Sequence, residues 1–218
     1  MKLELHCHTK ESSLCGYIPA EEVVKLHKEA GYDGIVITDH FNLDNLNVFS
    51  GDWKQKAESW LGGYKAALQA GKKNGLVVLF GLEARLTIND NDYLIFGATP
   101  DFVKRYADLC NYSLERLYAV CKEEQVLLVQ AHPFRAGCIP ADVRCLDGVE
   151  VINKNPRHDS HNDLAQALAE KYDCLIRTAG SDFHRLEDLG SAPVYTKNHI
   201  ENERELYDAL KAGKIHFA

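Results

Sequence analysis

Short apolar runs alternate with longer helical ones along nearly the whole chain, and this alternation constrains the fold more than any other feature. Residues 3–8 alternate with the period of a strand. Residues 34–38, 76–80, 93–96, 126–130, 149–152 and 175–179 are further short apolar runs, and 193–196 reads as a last short strand. Between them the spacing predicts helices over about 20–30, 53–73 (weakened at Gly62-Gly63), 101–109, 113–124, 162–172 and 202–212. Proline and acids open the first of these and Gly31 closes it, the expected helix punctuation. Strands apolar on both faces and separated by helices predict a parallel sheet covered by helices. Seven or eight strands fit a small (βα) barrel better than an open doubly wound sheet, which is the alternative. The 218 residues contain no long linker, low-complexity tract or repeat, so one domain over 1–218 is expected.

Composition narrows the function. The net charge of −7 argues against a general nucleic-acid or membrane-surface binder, because phosphate tracking needs a basic face. No stable nucleic-acid complex and no membrane association are expected, while acids turned inward onto cations leave a phosphorylated substrate open. The N-terminus turns polar at once and does not read as a targeting segment. Seven scattered cysteines without a CxxC pair predict neither a disulfide framework nor a cysteine zinc finger, and a cytoplasmic setting is expected.

In such folds reactive groups collect at the carboxyl ends of the strands. His6 and His8 end the first run, Asp39 and His40 follow the second, and Glu83 follows the third. His132 follows 126–130, Asn153 follows 149–152, and Asp182 and His184 follow 175–179. Each piece alone has a bland reading: a surface pair, a polar turn, a packed histidine. Together, imidazoles and carboxylates from five strand ends form a ligand set for Zn²⁺, Mn²⁺ or Fe²⁺. A carboxylate bridging two such ions gives a clamp suited to phosphoester hydrolysis. Arg135, close after His132, is a candidate fork for a phosphate, as are Lys154 and Arg157 for an anionic substrate. His27, His199 and His216 read as surface or packing residues.

His6-x-His8, Thr38-Asp39-His40, Glu83, His132-Pro133 and Asp182-x-His184, in this order, resemble the PHP (polymerase and histidinol phosphatase) family. The segments 31–40, 148–153 and 180–184 match as well. The resemblance implies a distorted seven-stranded (βα) barrel with two or three divalent ions on its carboxyl rim. It implies that His6, His8, Glu83 and Asp182 bind a first metal, and that Glu83 bridges to a second held also by His132. His40 and His184 would bind a third, with Asp39 beside the cluster as an orienting carboxylate. Two departures stand out. Family members often carry a histidine on the strand after the glutamate, where this chain has Asp92 and Tyr93. They also often carry an Asp or His shortly after the second histidine, where this chain offers Glu11 first and Cys15 next, with Ser13 between.

The expected activity is therefore metal-dependent hydrolysis of a small phosphate monoester or nucleotide-type phosphoester. Arg135 would assist, and His184 would act as the acid if it holds no metal. An amidohydrolase-like C–N or lactone hydrolase and a non-catalytic metal-stabilised module are the alternatives. No inserted cap is evident, so a shallow, open site is expected.

Overall fold

The computed structural model describes residues 1–217. Ten strands form one curled sheet: β1 (Lys2–Cys7), β2 (Gly34–Ile37), β3 (His40–Phe41), β4 (Val77–Arg85), β5 (Asp92–Phe96), β6 (Leu127–Gln130), β7 (Gly148–Asn153), β8 (Ile176–Gly180), β9 (Val194–Thr196) and β10 (Ile215–Phe217). Their order is β10-β9-β1-β2-β4-β5-β6-β7-β8, with β3 paired to β4. The helices are α1 (Ala20–Glu29), α2 (Leu43–Asn47), α3 (Trp53–Trp60), α4 (Gly62–Asn74), α5 (Pro100–Arg105), α6 (Leu114–Glu123), α7 (Asn162–Lys171) and α8 (Glu203–Lys211). The sheet nearly closes, because backbone bonds from His8 to Phe183 O (2.9 Å) and from Phe183 to His6 O (3.0 Å) join the end of β1 to the chain beyond β8. The barrel-like α/β class is as expected.

Two expectations change. The strand count is ten rather than seven or eight, because β3 and β10 are too short to show a period. The sheet is mixed rather than parallel, since β5 runs antiparallel to both β4 and β6. Only residues 86–91 join β4 to β5. A parallel crossover needs a dozen or more residues, so this link can only make a hairpin. Reversal puts the first residue of β5, Asp92, at the rim where the other strands end.

Two apolar clusters divide the core. Ile35, Ile37, Val78 and Phe80 pack outward against Val23, Ala67 and Ala70 of the helices. Leu5, Val36, Leu79, Leu94, Phe96 and Val129 pack inward, where Leu206 and Leu210 of α8 join them. On β1, Leu3 and Leu5 belong to the inner cluster but Cys7 to the outer one. The register shift between Glu4 and Cys7 accounts for this: a bulge reverses the strand's phase and turns His6 and His8 inward. No helix among the described residues is long and apolar enough to cross a membrane.

His27 shows the cost of burying an imidazole in the outer core. It is fully buried between Tyr32 and Phe183. Nδ1–H donates to Val23 O (2.8 Å), and Nε2 has no partner. Burial therefore pushes its pKa down to about 4, against the Val23 hydrogen bond. The unfolded chain takes up that proton near pH 6.5 and the folded chain only near 4, so stability is lost as pH falls between them. Between pH 7 and 4 the wild type should lose about 3 kcal/mol more than His27→Leu, measured by urea unfolding; equal acid slopes would refute this.

Candidate metal centre

The inward histidines meet carboxylates from β4 and from the chain just beyond β8. His6 Nε2 lies 3.2 Å from Glu83 Oε1 and 3.4 Å from Asp182 Oδ1. His8 Nε2 is 3.4 Å from both Glu83 Oε2 and Asp182 Oδ1. His132 Nε2 is 3.2 Å from Glu83 Oε1, and His40 Nδ1 is 2.8 Å from Glu83 Oε2. Glu83 is thus the hub. It is wholly buried, inside β4 rather than after it.

Neighbouring groups fix which nitrogen of each imidazole is free. His6 Nδ1 donates to Glu150 Oε1 (2.9 Å), leaving the lone pair on Nε2. Ser13 Oγ donates to Asp39 Oδ1 (2.8 Å), so it accepts from His8 Nδ1 (3.2 Å) and again leaves Nε2 free. His184 Nδ1 donates to Asp182 O (2.8 Å). Such outer hydrogen bonds set tautomers and raise basicity at metal-binding histidines. Asp39 acts in this way through Ser13, and its carboxylate also accepts the backbone N–H of Thr9 at 2.6 Å.

The donor atoms suit a cation. His6 Nε2, His8 Nε2, His40 Nδ1 and Glu83 Oε2 are buried with no hydrogen-bond partner, although they face one another. Lone pairs so placed repel unless positive charge lies between them. Three overlapping donor sets each fall within 4.8 Å: His6, His8 and Asp182; His6, Glu83 and His132; and His8, His40 and His184. A fourth joins His40, Glu83 and Asp92. Nitrogen and carboxylate oxygen in such sets are ligands for borderline divalent metals. Burial opposes ionisation of Glu83, yet His6 and His40, when protonated in place of a bound ion, hold its carboxyl well below the ordinary range. Asp182 is likewise held down, mainly by His6.

His132 (φ 28°) and Asp182 (φ 53°) both sit in left-handed backbone conformations. Non-glycine residues rarely do so, and such strain, of order 1–3 kcal/mol each, gathers at functional sites.

Several sequence expectations fall elsewhere. Glu11 does not face the cluster; its carboxylate accepts Ala20 N at the start of α1 (3.1 and 3.0 Å). Cys15 lies there instead, its Sγ 3.1 Å from His184 Nε2. Burial raises the Cys15 thiol, but hydrogen bonds with His184 and His40 pull it down to about 6. Tyr93 is buried with its hydroxyl toward Asn91 (3.3 Å), so Asp92 is the β5 residue in reach, and Arg85 grips it bidentately (2.8 and 2.6 Å). Arg135 Nη2 is bound to Asp182 Oδ2 and Asn153 Oδ1, each at 2.8 Å, so it orients Asp182 rather than standing free on the rim. Arg157 is paired with Asp188 (2.6 and 2.9 Å) at the cavity wall. Lys154 is exposed and does not line the cavity.

Sequence reasoning missed three buried acids. Glu4 Oε1 accepts the backbone N–H of His6 (2.9 Å) and Ser181 (3.0 Å), bracing the bulge. Glu150 holds His6 and also accepts His132 N (3.1 Å). Asp188 accepts His184 N (2.8 Å) and Arg185 N (2.9 Å). Glu4 and Glu150 did carry a signal, since each is an acid inside an otherwise apolar strand.

The cluster opens into a cavity of about 640 Å³, lined by Cys15, Tyr17, Arg85, Arg157, His158 and Arg185 among others. Gly180 packs tightly against the cluster: a Cβ there would lie 2.3 Å from His6 Cβ and 3.0 Å from Glu150 Oε1. Gly180→Ala must displace His6, and is expected to weaken metal binding at least ~10-fold, as loss of an orienting partner does. A metal titration within twofold of wild type would contradict this.

Residues 4–217 match the PHP domain family. The chain is 25% identical over 233 residues to DNA polymerase III PolC-type of Streptococcus pneumoniae, covering 96% of this chain but 14% of that protein. It spans only small parts of the curated relatives it matches, 8% for the enzyme of the same name from Latilactobacillus sakei. Among solved structures, a two-domain Bacteroides vulgatus protein containing a predicted PHP-like metal-dependent phosphoesterase superposes with TM-score 0.72 at 14% identity, over all of this chain and 64% of that one. The lesion-specific endonuclease EndoQ of Pyrococcus furiosus superposes with TM-score 0.59 at 15% identity, over 99% and 57%. At these identities the structural likeness is one of fold. With nearly every residue inside the family match and the histidine–carboxylate cluster on the barrel rim, this chain belongs to the PHP domain family.

Proposed function

We propose that this protein is a metal-dependent phosphoesterase acting on a small phosphorylated substrate. The observation that carries the reading is the convergence of His6, His8, His40, Glu83, His132, Asp182 and His184 on an open cavity edged by arginines. Divalent ions held there supply Lewis acidity and charge neutralisation to a phosphoryl group. His6, His8, Glu83 and Asp182 would hold a first ion, and Glu83 and His132 a second, with Asp92 in reach of it.

The chain's other residues orient and select. Glu150 and Asp39, the latter through Ser13, keep His6 and His8 with Nε2 unprotonated. Arg135 holds Asp182 and adds positive charge behind it. Arg185 lies over the Tyr17 ring (4.2 Å) and only loosely against Glu187 (4.0 Å), so its guanidinium is the one best placed to meet a substrate's second anionic or planar group. No lysine lines the cavity among the described residues, and Glu83 occupies the hub. This disfavours an amidohydrolase bridge built on a modified lysine.

The test is hydrolysis of p-nitrophenyl phosphate after loading with Zn²⁺, Mn²⁺ or Fe²⁺, with chelated protein and His8→Ala as controls. Activity requiring both metal and His8 supports the reading. Tight metal binding without hydrolysis of any phosphoester overturns it and favours the lactone, amide or binding-module alternatives.

A further inference from the structure

We propose that Cys15 is a metal ligand, completing with His40 and His184 a third position of one thiolate and two imidazoles. The proposal rests on the metal-centre reading above and adds to it a sulfur donor and its consequence for metal choice.

Three observations place the thiol there. His184 gives its Nδ1 proton to Asp182 O, so the Nε2 lone pair faces Cys15 Sγ at 3.1 Å. The His40 ring also contacts Cys15, and its donor atom falls within 4.8 Å of those of His184 and His8. His8 is fully buried, and its Nε2 has no partner. The acid nearest in sequence, Glu11, is engaged at the start of α1 and leaves the thiol as this loop's contribution. The loop is held in place by Tyr17 N–H to His184 O (3.0 Å) and by Leu14 N–H to Asn45 Oδ1 (2.7 Å).

Cys15 differs in this from Cys138, the other cysteine on the cavity wall. Cys138 Sγ lies 3.8 Å from His132 Nδ1, on the side of that ring away from Glu83. It stands behind a ligand, whereas Cys15 stands among ligands. One thiolate with two imidazoles on an open wall matches zinc sites that keep a position for water or substrate. A soft sulfur donor selects Zn²⁺ or Fe²⁺ over Mn²⁺. Cys15 therefore sets the metal preference of this position, and an acid in its place would move that preference toward Mn²⁺.

The experiment reads the ligand without relying on turnover. Full-length apoprotein is titrated with Co²⁺, and the near-ultraviolet sulfur-to-cobalt charge-transfer band is followed in wild type, Cys15→Ser, Cys15→Asp and Cys138→Ser. Folding is checked by circular dichroism; Cys15 is exposed, and all variants should fold. The wild type and Cys138→Ser are expected to show the band. Cys15→Ser should lose it and weaken one metal equivalent by more than the ~10–100-fold that loss of an outer partner costs. Cys15→Asp should recover that equivalent without the band. X-ray absorption of the zinc protein should show a sulfur shell near ~2.3 Å beside nitrogen at ~2.0–2.1 Å. A band that survives in Cys15→Ser, or tight metal binding by the wild type with no band, overturns the Cys15 assignment alone. A wild-type protein that binds no metal overturns the metal-centre reading with it.

Discussion

Glu83→Gln is expected to lower metal-dependent kcat/KM by at least ~1,000-fold while the chain stays folded, about 4 kcal/mol of lost transition-state stabilisation. The size follows from where Glu83 sits. Its two oxygens lie within 3.4 Å of ring nitrogens from His6, His8, His40 and His132, which arrive from three separate segments. Glutamine keeps the volume, so no cavity opens. It removes the negative charge and replaces one acceptor oxygen with an N–H₂ group, which cannot bind a cation. Every donor set that includes the hub is weakened at once, unlike the loss of His132 or Asp92, each of which serves one side. The comparison to make is steady-state hydrolysis at saturating metal, with circular dichroism and thermal unfolding as folding controls. Activity within tenfold of wild type would show that Glu83 is a buried structural acid and that the reaction, if any, is organised elsewhere.

How much of this was legible beforehand depends on strand direction. Reading the residue after each apolar run located His8, His40, His132, Asp182 and His184, because β1, β2, β6 and β8 all run toward the same rim. The same rule failed at β5, which runs the other way and presents its first residue, Asp92, rather than its last. The apolar runs 76–80 and 93–96 leave twelve residues between them, enough for a crossover, and the six-residue link appears only because β4 continues to Arg85. Residue type alone puts Glu11 ahead of Cys15, but both lie in one loop and only its path decides which faces inward. Serine, threonine and backbone groups around Asp39 settle that path. A Cβ on Gly63 would lie 2.0 Å from Thr9 Oγ1 and 2.8 Å from Asp39 Oδ2, so a helix must meet this loop at a glycine. In the sequence that glycine reads only as a weak point in a helix. Arg135 and Arg157 were visible as cations, but their engagement with Asp182 and Asp188 is a long-range fact that no local pattern carries. The bulge that turns His6 and His8 inward was hidden as well, because a strand's alternation does not reveal where its phase reverses.

Removing the metal should cost stability as well as activity. Glu4, Asp39, Glu83, Glu150 and Asp182 are each no more than 2% exposed, and all lie in or directly behind the cluster. Protonated histidines relieve part of their repulsion, but burial disfavours that charge, and His8 is held well below its ordinary pKa by burial and by His184 and His40. His132 and Asp182 add backbone strain that the folded state must carry whether or not an ion is bound. An ion bound only by the folded chain stabilises it by ~4.1 kcal/mol at 1,000 times its Kd. For a chain of this size each kcal/mol moves Tm by about 2–4 °C, so stripping one such ion should lower Tm by ~8–16 °C. The measurement is thermal unfolding of loaded and chelated protein, with metal content verified before each scan. Asp182→Asn provides the internal comparison: it loses a ligand and one buried charge together, so its Tm should change far less on chelation than the wild type's. If the wild type's Tm moves by less than ~2 °C after verified removal, the buried acids are stable without a cation, and the unpartnered nitrogens of His6 and His8 need another explanation.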